Sequence, residues 1–164
     1  METNRKYEFT EEAMLIGKRL LHRIKALRDF GDVRKGDIGG WIEKEDNLSH
    51  DDDCWVYDNA IVRGNAEIYG NAVIYDDAVV YGNAAICDNA VIYGDARVRG
   101  NAVIYDDAVV YGNAAICDNA VIYGNAVVYG NAKIYDNAII YGIVVVRDNA
   151  KVHSNAEKIG RAHV

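Results

Sequence analysis

Alanine recurs every six residues from Ala60 to Ala138 and again at Ala150, Ala156 and Ala162, with Val144 the one substitution in the series. Two residues after each of these positions stands Ile or Val, from Val62 and Ile68 through to Val146 and Val152. A fixed six-residue period sustained this long is the mark of a repeat architecture. It excludes one long amphipathic helix, whose apolar positions recur at three and four. Within a hexad, Ala-x-Ile/Val alternates inward and outward as a strand does. Gly or Asp comes next but one, then Asn or Asp, and these residue types accept the left-handed backbone of a tight corner. Each hexad therefore reads as one short strand and one corner. Ala and Ile/Val point inward, and the residue after each points outward.

The pattern resembles the hexapeptide repeat of left-handed parallel β-helices. That resemblance implies an all-β, three-sided coil in which three hexads make one 18-residue turn. Cys54 to Arg161 holds 18 hexads, hence about six coils, and stacked strands at about 4.8 Å make a prism about 29 Å long. Handedness is implied by the resemblance alone. The chain departs from the usual motif in placing Tyr between the inward aliphatic and the Gly or Asp. Two further stretches, Gly39-Gly40-Trp41-Ile42-Glu43 and Asp53-Cys54-Trp55-Val56-Tyr57-Asp58-Asn59-Ala60, resemble a group of bacterial and prophage proteins labelled hexapeptide-repeat transferases. This second resemblance spans nearly the whole chain and implies a fold rather than a secure activity.

Residues 1–53 lack the period and are expected to form an N-terminal capping segment of short strands and turns, with residues 54–164 the β-helix. Tyr7-Glu8-Phe9-Thr10 alternates like a strand, Leu20 to Leu27 fits a strand or a short helix, and Gly36 to Gly40 reads as a turn. An open β-helix end exposes unpaired backbone, so the segment is expected to cover one end. At the other end Lys158 takes an inward position. A buried unpaired Lys is costly, so the last coil is expected to fray or be solvated. Asp51-Asp52-Asp53 reads as a solvated entry turn.

Eighteen-residue spacing sorts the outward residues onto three faces. The first carries Trp55, Val73, Val91, Val109, Val127 and Val145, flanked by Tyr57, Tyr75, Tyr93, Tyr111 and Tyr129, with charge only at Arg147. The second collects Arg63, Arg97, Arg99, Lys133, Lys151 and His153. The third is apolar in its middle and acidic at its ends, Glu67 and Glu157. Soluble monomers rarely expose a contiguous apolar surface of the first kind. The first face is therefore expected to associate with another copy as a dimer or trimer, unless the N-terminal segment lies over it. Tyr suits an interface because its ring packs while its hydroxyl stays wet.

The chemistry legible in the chain is sparse. Acyltransferases of the resembled family are trimers that hold the acyl donor between subunits and use a His as general base, commonly near a loop extruded from a coil. Here the hexad phase is unbroken from residue 54 to 157, and His153 is the one regular-face candidate. Cys54 falls inward, while Cys87 and Cys117 sit on different faces and cannot pair within one chain. Thr is absent from the helix, which argues against an ice-binding array. Asp76-Asp77 and Asp106-Asp107 suit corners as well as they suit calcium, and no metal or cofactor is expected. Residues 71–94 recur identically at 101–124, a shift of 30 that moves every copied hexad to another face. A duplication of that kind keeps core and corners but shuffles any surface site.

The reading that follows is a non-enzymatic, self-associating scaffold or protein-binding module, cytoplasmic and phage- or bacterium-borne, acting on a host complex. An acyltransferase-like enzyme is the alternative. An acidic nucleic-acid-mimicking decoy, or an anion-binding patch at Arg63, Arg97, Arg99 and Lys133, is a further one. The net charge of −7, with 25 acidic against 18 basic residues, speaks against direct nucleic-acid binding. No apolar run is long enough to span a bilayer.

Overall fold

The computed structural model describes residues 5–158, Lys158 by its backbone only. The expectations placed on the Lys158 side chain and on the chain beyond it therefore lie outside the described residues. Eighteen two-residue strands run from Trp55–Val56 to Glu157–Lys158, one per hexad. They stack as three parallel sheets, each strand pairing with the strand 18 residues on. Val91 thus lies between Val73 and Val109, and Val103 between Ala85 and Val121. The three-sided coil of about six turns is as the period and the resemblance imply.

The inward residues make one continuous core. Ala60 to Ala138 and their Ile/Val partners are at most 1% exposed. Each large aliphatic buried this way contributes roughly 1.5–3 kcal/mol. Small Ala beside branched Ile or Val lets three strands close around a narrow axis.

The corners carry the backbone through positive φ, between 55° and 60° at the Asp and Ser positions and between 66° and 79° at the Gly positions from Gly64 on. Asp is chosen for a second reason. The Asp58 carboxylate accepts the Asp76 N–H at 3.1 Å, and Asp76 accepts from Gly94 at 3.1 Å. Asp88, Asp106, Asp118 and Asp136 repeat the bond at other corners. Asn side chains one position further form their own ladder, as from Asn101 to Asn119 at 3.2 Å. Asp76 and Asp106 are thus structural acceptors that tie coil to coil. Among the described residues no three His, Cys, Asp or Glu side chains gather as a metal site.

Ahead of the repeat the chain forms β1 (Tyr7–Ile16), β2 (Arg19–Ala26) and β3 (Ile38–Ile42). β1 and β2 are an antiparallel hairpin, and β2 pairs antiparallel with β3. β3 then stacks parallel on Ile61–Val62, so the hairpin extends the second face to nine strands. The stretch 36–40 is accordingly half turn and half strand: Gly36 turns at φ 94°, but Gly39 and Gly40 lie inside β3. Both glycines are needed for approach rather than for conformation. A Cβ on Gly40 would stand 2.6 Å from the Ala60 carbonyl oxygen and 2.7 Å from Val56 Cγ1.

Stacking therefore starts before the first hexad. Trp41 N–H donates to Ala60 O, Ser49 N–H to Ile68 O and Cys54 N–H to Gly70 O, at 2.9–3.0 Å. A 3₁₀ turn at Glu45–Asn47 replaces the regular corner. The buried Asn47 amide stands in for it, accepting from the Glu43 and Lys44 N–H groups and donating to Gly64 O and Ala66 O. Among the described residues no helix is long and apolar enough to cross a membrane.

Candidate functional site

The residues sorted onto the first face share one six-stranded sheet. Their outward row alternates with the buried core, and Val73, Val91, Val109, Val127 and Val145 are each partly exposed. The flanking tyrosines form a real ladder. Tyr75 stacks on Tyr93, Tyr93 on Tyr111, and Tyr111 on Tyr129, with ring centroids 4.8–4.9 Å apart and planes within 5°. The spacing is that of the strands beneath, so one rotamer serves every rung. A second ladder, Tyr105, Tyr123 and Tyr141, runs along the third face at 4.8–5.0 Å.

Trp55 is a correction to the expected association face. It is 1% exposed, because the N-terminal segment lies over it. Phe30 meets its ring edge-on at 5.2 Å and Tyr7 at 6.2 Å. The reason is geometric: Phe30 packs on the Trp55 ring, and Asp32, two residues on, stands beside Tyr57 and the Val73–Val91 row. Among the described residues the segment thus buries the first rung of the face, while the Val rungs of the other five coils stay partly exposed.

Where that loop ends, a groove begins. Val73, Tyr75 and Val91 form its floor, and Asp32, Tyr57 and Asp58 its wall. Burial pushes the Tyr57 hydroxyl pKa up, and the nearby carboxylates of Asp32, Asp37, Asp58 and Asp53 push it further. An apolar, aromatic floor with an acidic rim suits a cation carried on an apolar stem. The wall was not legible in the sequence: Asp32 lies in an aperiodic loop, and nothing in its neighbours marks it.

The cations of the second face lie along one sheet. Arg63 stacks on Tyr81 at 4.2 Å. Arg97 and Lys133 sit on strands two coils apart, with Ala115 between them. His153 is exposed, stacks on Tyr135 at 5.1 Å, and has Ser154 Oγ at 3.0 Å and Asp136 Oδ2 at 3.9 Å. His22 stacks on Phe9 at 4.3 Å. His50 is a structural joint: its Nδ1 accepts the Lys6 N–H at 3.0 Å, so Nε2 donates to Glu45 at 2.8 Å.

The cysteines give no sign of activation. Burial pushes the Cys54, Cys87 and Cys117 thiols up, the opposite of a reactive thiolate. Tyr69 donates to Cys87, and this bond together with burial raises the Tyr69 pKa to about 12. Cys54 instead faces the most unusual group in the chain. The Lys6 ammonium is wholly buried. It donates to the carbonyls of Cys54 at 2.6 Å and of Asp51 and Asp52 at 3.2 Å, and to Cys54 Sγ at 3.3 Å. Its Nζ also lies over the Phe30 ring, 4.8 Å from the centroid. The entry turn at Asp51-Asp52-Asp53 therefore has exposed side chains but a backbone bound from within.

The fold and its corners define a parallel β-solenoid repeat protein. The YdcK beta solenoid repeat family matches residues 66–82, 90–106 and 114–130. Over 69 residues the chain is 41% identical to a protein of Escherichia coli (strain K12) named "Uncharacterized acetyltransferase YdcK". That similarity covers 37% of this chain and 21% of the Escherichia coli protein.

Proposed function

We propose that the chain works by assembly, with the Val/Tyr face as the surface that packs on another copy and the solenoid as a scaffold for a protein partner. What supports this is the open part of the face: five outward Val from Val73 to Val145 beside the four stacked rings Tyr75 to Tyr129, with Trp55 buried under the N-terminal segment. Stacked rings are already ordered, so their burial costs little further side-chain entropy. Replacing Val91 and Val109 together with Asp buries two charges at the centre of that surface. The double variant is expected to fall to monomer mass in light scattering while keeping its circular dichroism. An unchanged oligomer mass would remove the face from consideration.

Acetyl transfer is the second reading, and the similarity to the Escherichia coli protein favours it over assembly alone, through that protein's name. The donor would be acetyl-CoA and the acceptor an amine or hydroxyl, with His153 as base. Against it stands the unbroken hexad phase, which leaves His153 on a strand face with no extruded loop beside it. Calorimetry with acetyl-CoA separates the two. A saturable heat, lost on His153→Ala, supports transfer; no heat at millimolar ligand leaves assembly.

A further inference from the structure

We infer that the groove at the edge of the N-terminal loop is the seat for Arg147 of a second copy, which pairs the two solenoids antiparallel across their Val/Tyr faces. This rests on the assembly reading above and gives it an orientation and a register. The two ends of the face differ in charge. At one end Asp32 and Asp58 rim the apolar groove over Val73, Tyr75 and Val91. At the other, Arg147 occupies the slot that Tyr holds in the five preceding coils. Its side chain is half exposed, and its ion pair among the described residues is a 3.8 Å contact to Asp148, too long and exposed to hold it.

Symmetry decides between the ways two such faces can meet. A two-fold axis along the strands reverses coil order while keeping Val on Val and Tyr on Tyr. A two-fold axis along the solenoid would set Val against Tyr, acidic end against acidic end, and Arg147 near Arg147. Like charges so placed are repulsive. The loop over Trp55 then fixes the register, because only coils two to six are free. Centring on the fourth coil makes Val109 and Tyr111 meet their own copies, and Val73 meet Val145. Arg147 of one copy then lies on Tyr75 of the other, stem on the apolar floor and guanidinium between Asp32 and Asp58. There the guanidinium would offset the negative charge that Asp32 and Asp58 bring to the groove rim. Five strands at about 4.8 Å spacing make a small interface beside the ~800 Å² per partner of a standard one. The end contacts, made twice by symmetry, therefore carry weight, and salt should weaken them.

The experiment is charge exchange between variants, read by sedimentation equilibrium. Arg147→Asp and Asp32→Arg are each expected to weaken self-association roughly tenfold or more. Asp58 is left intact, because its carboxylate also holds the Asp76 N–H. An equimolar mixture of the two variants is expected to associate more tightly than either variant alone, since one end contact of the mixed pair is that of the wild type and the other sets the new carboxylate at position 147 against the new guanidinium at position 32. Wild type that associates, with a mixture no tighter than either variant alone, overturns the antiparallel pairing. Wild type that stays monomeric at all concentrations overturns the assembly reading itself. Should either variant lose its β-sheet circular dichroism, Arg147→Ala and Asp32→Asn replace the pair. For them a roughly threefold weakening with reduced salt dependence is expected, and no change overturns the pairing.

Discussion

Replacing Gly40 with Ala is expected to lower the thermal midpoint by roughly 10 °C, from an overpacking cost of about 3 kcal/mol in a domain of this size. The cost is steric. The added Cβ would sit 2.6 Å from Ala60 O, 2.7 Å from Val56 Cγ1 and 3.1 Å from Tyr57 O. Two of those three are backbone atoms of the first coil, which cannot turn aside as a flexible side chain can. Ala60 O is also the acceptor for Trp41 N–H at 3.0 Å, so moving β3 away gives up the bond that seats it. Gly17 is the control. It has φ 61°, but a Cβ added there would meet nothing within 4 Å, and Gly17→Asn brings in a residue that tolerates that φ. Differential scanning calorimetry on the two variants should show a large loss for Gly40→Ala and almost none for Gly17→Asn. Equal midpoints would mean that β3 is not held against the coil as described.

Lys6→Ala should cost about 3–4 kcal/mol, the second large effect. It removes a buried ammonium that serves the carbonyls of Asp51, Asp52 and Cys54, and it leaves those carbonyls short of their donor in the interior. It also opens a cavity beneath Phe30. Burial pushes the Lys6 pKa down, against the pull of the Cys54 sulfur, yet the hydrogen bonds keep the group useful as a plug at the end of the solenoid. Lys6→Met keeps most of the stem but none of the donors, so the gap between the Met and Ala variants separates packing from hydrogen bonding. Loss of the plug should loosen the segment over Trp55. A red shift in tryptophan fluorescence and faster amide exchange at Cys54 and Trp55 would report it. Urea midpoints unchanged in both variants would refute the role.

Much of this molecule was legible because a period makes geometry local. Once strand and corner repeat every six residues, each outward residue is assigned a face by its number alone. The rows Val73 to Val145 and Tyr75 to Tyr129 lie on one sheet as the spacing requires. The positive φ of the corners followed from Gly and Asp in the same way. What the corner Asp residues do with their carboxylates was less legible, since a bond to the coil below and a calcium site call for the same side chain.

The aperiodic start of the chain had no such guide. Trp55 fell in phase with the outward row, and the period alone placed it on the surface. Contacts with Phe30 and Tyr7, reaching back 25 and 48 residues, buried it. Lys6 reads as an ordinary surface charge until Cys54, 48 residues on, is folded over it. The acidic groove likewise needs Asp32, from the aperiodic segment, set beside Tyr57, Asp58 and the Val73–Val91 row of the coils. The hexad by itself determined a coil of short strands and corners and its Ala and Ile/Val core, and with the three-sidedness that the resemblance implied it sorted the faces, because stacking equivalent strands needs only that equivalent residues recur. How that coil is closed at its N-terminal end, and how much of the apolar face is left open, was decided by the tertiary structure. Those contacts join segments with no common repeat, and only shape and hydrogen-bond complementarity in space select them.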